Sequence, residues 1–177
     1  MTLVTSLKLS PAEAILALER WTPLAGRGKV SEIKFKYHYN RISIHLIDES
    51  YNANPGSVKS SLETLASIYS SQKSKCGYSR RIAVLGDMLE LGISEVQEHV
   101  NISRFARLDK IDKIYCVGPR MRKLYDVLPS IKRGFWTETA QEMQHVLVKK
   151  LKDGDIVMIK GSLSMGMNTI VNKLKNT

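Results

Sequence analysis

The chain has 177 residues, of which 43% are hydrophobic and 25% are charged, so it is long enough for one globular domain with a buried core. No apolar run approaches the ~20 residues that a helix needs to cross a bilayer, and residues 1–9 lack the pattern of a secretory signal. Cys76 and Cys116 lie far apart and form no metal or redox motif, and the apolar run around Cys116 predicts a core position. The sequence therefore predicts a cytoplasmic protein.

The chain carries a formal net charge of +10. Its basic residues are scattered in short clusters, and none is interleaved with aromatic side chains as on single-strand-binding surfaces. This pattern favours a solvated lysine-rich surface over a field that attracts an anionic small molecule. It argues against a nucleic-acid partner.

The first predicted element is a helix, because Ser10 to Glu13 forms a capping box with Pro11 at the first helical position. Its apolar face is formed by Ala14, Ile15, Leu18 and Trp21. Residues 22–28 break the helical pattern and are interpreted as a linker. Two alternating runs, 30–36 and 41–47, then predict a β-hairpin.

From residue 54 onward, amphipathic helical patterns alternate with short apolar runs. The helical patterns cover 54–71, a segment starting near 94, and residues 120–127, 139–151 and 166–175. The apolar runs cover 81–85, 113–117 and 155–160, with a weaker one at 134–136, and three of them end at Gly86, Gly118 and Gly161. This alternation predicts an α/β fold with a Rossmann-like, mostly parallel sheet and helices on both faces.

A polar loop at residues 48–57 follows the predicted strand 41–47 and precedes a predicted helix. Asn54 is expected to cap that helix, with Pro55 in its first turn. In open α/β sheets, ligands bind at the carboxyl ends of the strands. The loop could simply be a well-capped βα connection. Its density of groups able to bond a nucleoside favours a binding role, and these groups belong to Asp48, Glu49, Tyr51, Asn52 and Asn54.

Three further loops follow predicted strands, at residues 86–92, 118–120 and 160–164, and a doubly wound sheet can bring them to the same edge. Lys160 and Ser162 could hold an anionic group there, although residues 161–162 could also be only a turn. No Walker A phosphate loop is present in the sequence. His99 lies four residues after Glu95, a spacing typical of a surface pair on one helix face.

Three stretches in this order resemble the C-terminal domain of the Mur ligases, most closely the members that add D-alanyl-D-alanine. They read DESYNANPGS at 48–57, RIAVLGDMLELG at 81–92 and KGS at 160–162. Gly26-Arg27 resembles the start of that domain, and His99 falls where the family often has a histidine. The resemblance covers residues 25–177, whereas residues 1–24 are similar only to the last helices of the family's central domain.

The resemblance implies an amide-forming, three-domain ligase that uses ATP and Mg²⁺. In the family, ATP phosphorylates the carboxylate of UDP-MurNAc-tripeptide, and the amine of D-Ala-D-Ala then attacks the acyl phosphate. The C-terminal domain closes over ATP and brings in the dipeptide. The phosphate loop and the magnesium ligands belong to the central domain, so no catalytic or metal-binding residue is expected here, and these residues alone are expected to be inactive.

The matched positions imply a nucleotide side and a substrate side. The nucleotide side consists of Arg27, Asp48, Glu49, Tyr51, Asn52 and Asn54. The substrate side consists of Asp87, His99, Lys160 and Ser162. Glu49 stands where the family has a second aspartate, and Leu163 stands where it has an arginine.

Two alternatives to this interpretation stay open. One is a stand-alone binding or interaction module that has lost catalysis, which Leu163 favours. The other is a folylpolyglutamate synthetase-type ligase on the same fold, since a fold alone does not fix a function.

Overall fold

The structure is a computed structural model that describes residues 6–8, 10–68 and 79–177. A single six-stranded sheet with the order β1-β2-β6-β3-β4-β5 forms its centre. The strands are β1 Lys29–Tyr37, β2 Asn40–Glu49, β3 Arg81–Gly86, β4 Lys113–Val117, β5 Arg133–Thr137 and β6 Ile156–Lys160. Only the β1–β2 pairing is antiparallel, and every other neighbouring pair is parallel. The predicted hairpin and the predicted mostly parallel sheet are both confirmed.

The described residues also form the helices α1 Pro11–Glu19, α2 Pro55–Ser67, α3 Glu95–Asn101, α4 Met121–Val127, α5 Ala140–Lys150 and α6 Asn168–Lys175. Capping boxes begin two of them. The Asn54 side chain accepts from the Ser57 amide at the start of α2, and Thr139 accepts from Glu142 at the start of α5. Each box satisfies backbone N–H groups that a helix start otherwise leaves without a partner.

Each face of the sheet has its own apolar core, as predicted. On one face, α5 and α6 pack through residues such as Leu147 and Ile170. On the other face, α2 and α4 pack through residues such as Leu62 and Leu124. Every residue of β6 is buried, which fits the continuous apolar run expected of a central parallel strand.

Helix α1 differs from the other helices because none of its residues is buried. The hydroxyl of Ser10 accepts from the Glu13 amide, so the predicted cap is present. The apolar face predicted for this helix is exposed in the described part of the chain, with Ile15 52% and Leu18 63% accessible. No helix among the described residues is long and apolar enough to span a membrane.

One predicted boundary differs from the structure. Helix α2 ends at Ser67, and the predicted continuation beyond residue 68 lies outside the described residues, as does Cys76. Helix α3, predicted to start near residue 94, begins at Glu95 and ends at Asn101, where a 3-10 turn follows.

Candidate functional site

The strand order brings three of the predicted loops together. Strand β6 lies between β2 and β3 and runs parallel to both, so the carboxyl ends of all three strands meet at one edge. The loops that follow enclose a cavity of about 630 Å³, which we call the loop cavity. It is lined by Tyr51, Asn52, Ala53 and Asn54 after β2, Leu89, Glu90 and Leu91 after β3, and Ser162, Leu163 and Ser164 after β6.

Arg27 and Tyr51 form a stacked pair beside the loop cavity. The guanidinium carbon of Arg27 lies 4.0 Å from the centroid of the Tyr51 ring, a cation–π contact. Gly26 makes this docking possible, because its φ is +76° and a Cβ there would lie 2.9 Å from the Tyr51 Cβ. The Tyr51 amide donates to the Gly26 carbonyl at 3.1 Å, and the Tyr51 side chain stays 42% exposed.

Asp48 is turned into the protein rather than toward the loop cavity. Its side chain is buried, and one carboxylate oxygen accepts from the Ser50 hydroxyl at 2.6 Å and the Ser50 amide at 3.2 Å. The other oxygen lies 3.8 Å from the Lys175 ammonium. Asp48 therefore fixes the turn after β2 and ties it to α6.

The two asparagines of the first loop have different surroundings. Asn54 caps α2, as predicted, with its side-chain oxygen 2.8 Å from the Ser57 amide nitrogen. Asn52 is exposed, and its side-chain oxygen accepts from the Ala53 amide at 2.8 Å. Asn52 lines the loop cavity, and its side-chain oxygen is already bonded, so its NH2 group is the part left to donate to a ligand.

Lys160 lies beneath the loop cavity and is 3% exposed. Its ammonium donates to the Asn52 backbone carbonyl at 2.9 Å and lies 3.4 Å from the Glu49 carboxylate. Burial lowers the pKa of the Lys160 ammonium, and the Glu49 carboxylate partly opposes that shift. This lysine joins the end of β6 to the loop after β2.

Ser162 and Asp87 connect the other two loops. The Ser162 hydroxyl accepts from the Leu89 amide at 2.9 Å, and the Ser162 side chain lines the loop cavity. Asp87 is fully buried, and its carboxylate accepts from the Met121 amide at 2.7 Å and the Arg120 amide at 3.2 Å. Asp87 therefore binds the N-terminus of α4, where the helix dipole favours a negative charge.

His99 is also fully buried, so the predicted surface pair with Glu95 is wrong. The His99 Nε2 accepts from the Met88 amide at 2.9 Å, and Nδ1 faces the Glu95 backbone carbonyl. This pattern places the ring proton on Nδ1, because an amide N–H can only donate. The Glu95 carboxylate binds Arg120 Nε at 2.6 Å instead.

The structure thus separates the predicted site residues into two groups. Tyr51, Asn52, Asn54 and Ser162 line the loop cavity, with Arg27 stacked beside it and Glu49 and Lys160 beneath it. Asp48, Asp87 and His99 are buried and hold the loops in place.

Sequence reasoning missed Glu90, an exposed carboxylate that lines the loop cavity with a φ of +62°. A non-glycine residue in the left-handed region is uncommon, and no local signal for it exists in the sequence. The described residues contain no group of three His, Cys, Asp or Glu side chains that could hold a metal ion.

The chain is similar to known ligases over most of its length. Residues 37–163 match the family model described as "Mur ligase, glutamate ligase domain". The chain is 32% identical over 164 residues to the UDP-N-acetylmuramoyl-tripeptide--D-alanyl-D-alanine ligase of Mycobacterium leprae, covering 85% of this chain and 31% of that protein. The ligase of the same name from Bacillus subtilis is 28% identical over 150 residues, covering 82% of this chain and 31% of that protein.

Solved structures show the same fold. The MurF ligase from Thermotoga maritima in complex with ADP superposes with a TM-score of 0.75 at 21% identity, covering 99% of this chain and 36% of that one. MurF from Acinetobacter baumannii superposes with a TM-score of 0.70 at 23% identity, covering 99% and 35%. The chain spans about a third of the length of these relatives.

Proposed function

The chain belongs to the Mur ligase family, and from this premise we propose that it is the C-terminal part of a cytoplasmic ligase that uses ATP to join D-Ala-D-Ala to UDP-MurNAc-tripeptide. The observation that carries the proposal is the loop cavity, where the three stretches of family resemblance meet. Its volume of about 630 Å³ is in the range of small-molecule sites. The relatives reported above support the D-alanyl-D-alanine branch over a folylpolyglutamate synthetase-type ligase.

We place the domain boundary between residues 24 and 25, so that residues 1–24 belong with a preceding domain and residues 25–177 form the C-terminal domain. The exposed apolar face of α1 supports this division, since none of its residues is buried. The turn at Gly26 to Gly28 supports it from the other side. The Gly28 amide donates to the Asp48 carbonyl at 2.8 Å, so this turn is part of the sheet domain.

The nucleotide is proposed to bind at the Tyr51 end of the loop cavity. The exposed Tyr51 ring offers a surface for a base or ribose, and the cation of Arg27 lies against it. The Asn52 side chain adds hydrogen-bond donors. Glu49 and Lys160 support the backbone of this loop, and Asp48 and Asn54 fix its two ends.

The dipeptide is proposed to bind toward Glu90 and Ser162. D-Ala-D-Ala is a small zwitterion with methyl side chains, so it needs an anion for its ammonium and apolar surface for its methyl groups. Glu90 supplies a carboxylate, and Leu89 and Leu163 supply apolar surface in the same cavity. Asp87 and His99 act here as positioning residues, because they hold the loop that carries Glu90.

The role of this chain in the reaction is binding and closure. Holding the amine close to an activated carboxyl group, in the right orientation, raises the rate of amide formation. Neutralising the charge of the transferred phosphoryl group is a separate task, which needs a phosphate loop and Mg²⁺. We therefore expect this chain alone to release no phosphate from ATP. We also expect it to bind ATP no more tightly than about 1 mM.

A chimera tests the proposed function directly. Residues 25–177 replace the corresponding third of the Bacillus subtilis ligase, and a matched chimera carries the same third of the Mycobacterium leprae ligase. Both should form product only when ATP, UDP-MurNAc-tripeptide and D-Ala-D-Ala are all present. If the matched chimera is active while the test chimera melts cooperatively, binds the UDP substrate and forms no product, the proposal is overturned.

A second candidate function is a binding module without catalysis, and Leu163 is the observation that favours it. This leucine is 60% exposed and lines the loop cavity where the family has an arginine. The same chimera separates the two functions, since a binding module gives no product. A Leu163→Arg chimera that alone becomes active would favour the binding module for the natural chain.

A further inference from the structure

A second cavity, of about 420 Å³, opens at the opposite edge of the sheet, where β3 to β5 begin and α5 ends. Ten residues line it, and six of them are cationic: Arg80, Lys113, Arg133, Lys149, Lys150 and Lys152. We call it the basic cavity. It shares no residue with the loop cavity, so its role does not depend on the proposed ligase function.

Three of these cations have partners inside the protein. Arg80 binds the buried Asp155 carboxylate through two nitrogens, at 2.8 and 2.6 Å. Arg133 donates to the carbonyls of residues 126 and 128, and Lys113 donates to the Arg133 carbonyl at 3.1 Å. Asp155 also accepts from the Lys152 amide at 2.7 Å and interacts electrostatically with Lys152, but one carboxylate cannot neutralise the six cations of the cavity.

The other three cations, Lys149, Lys150 and Lys152, are exposed and form no ion pair with any described residue. Lysines in the last turn of a helix stabilise its dipole, which accounts for Lys149 and Lys150 as parts of α5. That effect does not account for Lys152, which lies beyond the end of α5 and lines the basic cavity together with Lys149 and Lys150. The basic cavity therefore holds a surplus of positive charge.

Tyr115 provides a second, independent observation. Its side chain lines the basic cavity yet is only 4% exposed, and its hydroxyl has no hydrogen-bond partner among the described residues. Burial raises the pKa of this hydroxyl, so it stays a neutral donor at neutral pH. A buried donor without a partner is costly, and it marks a place where a ligand or solvent atom accepts.

The Tyr115 ring is held in this position by Gly134. A Cβ on Gly134 would lie 2.6 Å from a Tyr115 ring carbon, so the ring lies directly against the backbone of β5. The donor is therefore placed by packing rather than by a hydrogen bond.

We propose that the basic cavity binds a small multivalent anion with two or more phosphate groups, which Lys149, Lys150 and Lys152 neutralise while the Tyr115 hydroxyl donates to it. Phosphate oxygens accept from ammonium and hydroxyl donors alike. A volume of about 420 Å³ suits a small molecule. A single-stranded nucleic acid would need a longer basic groove with several aromatic side chains for stacking, whereas this lining offers one exposed aromatic side chain, Phe135.

The test uses the whole chain and sodium tripolyphosphate in calorimetric titrations at about 0.15 M salt, where exposed charges are screened beyond roughly 8 Å. The double variant Lys149→Gln/Lys152→Gln should bind at least about tenfold more weakly, because a single lost hydrogen bond to a charged group is on that scale. The control Lys123→Gln/Lys173→Gln removes the same charge from exposed lysines outside the cavity and should stay within about twofold. The proposal is overturned if the two double variants lose affinity for tripolyphosphate equally. It is also overturned if the natural chain binds tripolyphosphate with a dissociation constant above about 1 mM.

Tyr115→Phe tests the hydroxyl alone. Affinity for tripolyphosphate should fall roughly 2–12-fold, while the unliganded melting temperature should not fall, since no protein hydrogen bond is lost. Unchanged affinity overturns the role of the hydroxyl. ATP in place of tripolyphosphate shows whether a nucleoside adds affinity to the phosphate chain. A single-stranded oligonucleotide that binds more tightly than tripolyphosphate overturns the small-molecule ligand.

Discussion

The buried ammonium of Lys160 lies 2.9 Å from the backbone carbonyl oxygen of Asn52, although the two residues are 108 positions apart in sequence. This hydrogen bond joins the end of β6 to the loop after β2. The loop carries Tyr51 and Asn52, which line the loop cavity. The placement of the proposed nucleotide surface therefore depends on a charge that lies outside the cavity itself.

The Lys160 ammonium should make the stability of the protein rise with pH in the alkaline range. Burial lowers its folded-state pKa below the unfolded value of 10.5. Between the two values, the unfolded chain holds a proton that the folded chain has lost, so the free energy of unfolding increases as pH rises toward 10.5. Urea titrations from pH 7 upward should show this increase, and Lys160→Met should reduce its slope. Parallel curves for the two proteins would contradict the assignment.

Asn54 should matter to stability through its cap on α2. Replacing Asn54 with alanine removes the acceptor for the Ser57 amide, and the loss of such a cap typically costs about 1 kcal/mol. Asn54→Asp keeps an acceptor at the same place and should change the free energy of unfolding by only a few tenths of a kcal/mol. Thermal melts of both variants check this. The idea fails if aspartate is as damaging as alanine.

Asp87 should contribute more to the free energy of unfolding than a surface carboxylate does. It is fully buried and accepts hydrogen bonds from two backbone amides at the start of α4. Asp87→Ala should lower the free energy of unfolding by roughly 2–4 kcal/mol, since hydrogen bonds to charged groups are worth about 1.5–3 kcal/mol each. Asp87→Asn retains one acceptor and should cost roughly half as much.

The control for Asp87 is Asp126→Ala. The Asp126 side chain is 50% exposed, and its carboxylate pairs with Arg122 four residues earlier on α4. Such an exposed pair contributes about 0.3–0.5 kcal/mol. Urea unfolding at constant pH measures all three variants, and similar losses for Asp87→Ala and Asp126→Ala would refute the buried role of Asp87.

Cys116 should be inert in the folded protein. Its thiol is fully buried in β4, and burial raises the pKa of the thiol, so almost no reactive thiolate is present at neutral pH. In a Cys76→Ser background, a disulfide reagent should react with Cys116 only through the unfolded state. The reaction rate should therefore rise with urea in step with the unfolded population. Rapid, complete labelling in the absence of denaturant would show that β4 is open to solvent.

The parts of the fold that sequence could predict are those with local signals. Gly86 and Gly161 end β3 and β6 close to where the apolar runs stop, and Asn54 begins α2 through contacts within three residues. The buried roles of other residues depend on distant partners. His99 is buried because its ring meets Met88, eleven residues earlier, and nothing in the helix pattern shows that contact.

The candidate site was predicted as a set of loops more accurately than as a set of side chains. The sequence predicted that the loops after four strands can meet at one edge. In the structure the loops after β2, β3 and β6 line one cavity, whereas residues 118–120 do not line it. The orientation of each side chain depends on which hydrogen-bond or ion-pair partners lie within its reach in the folded protein. Asp87 has the N-terminus of α4 within reach and binds it, whereas Glu90, with a φ of +62°, remains exposed in the cavity wall.

The turn at Gly26 also determines how far each cavity lies from the point where the chain enters the sheet domain. The Gly26 carbonyl lies 3.1 Å from the amide nitrogen of Tyr51, so the chain enters the sheet domain beside the mouth of the loop cavity. With the domain boundary that we propose between residues 24 and 25, a rotation at that boundary would carry the far edge of the sheet, with the basic cavity, through a wide arc. The mouth of the loop cavity lies next to the pivot, so it would mainly turn to face a new direction while travelling only a short distance.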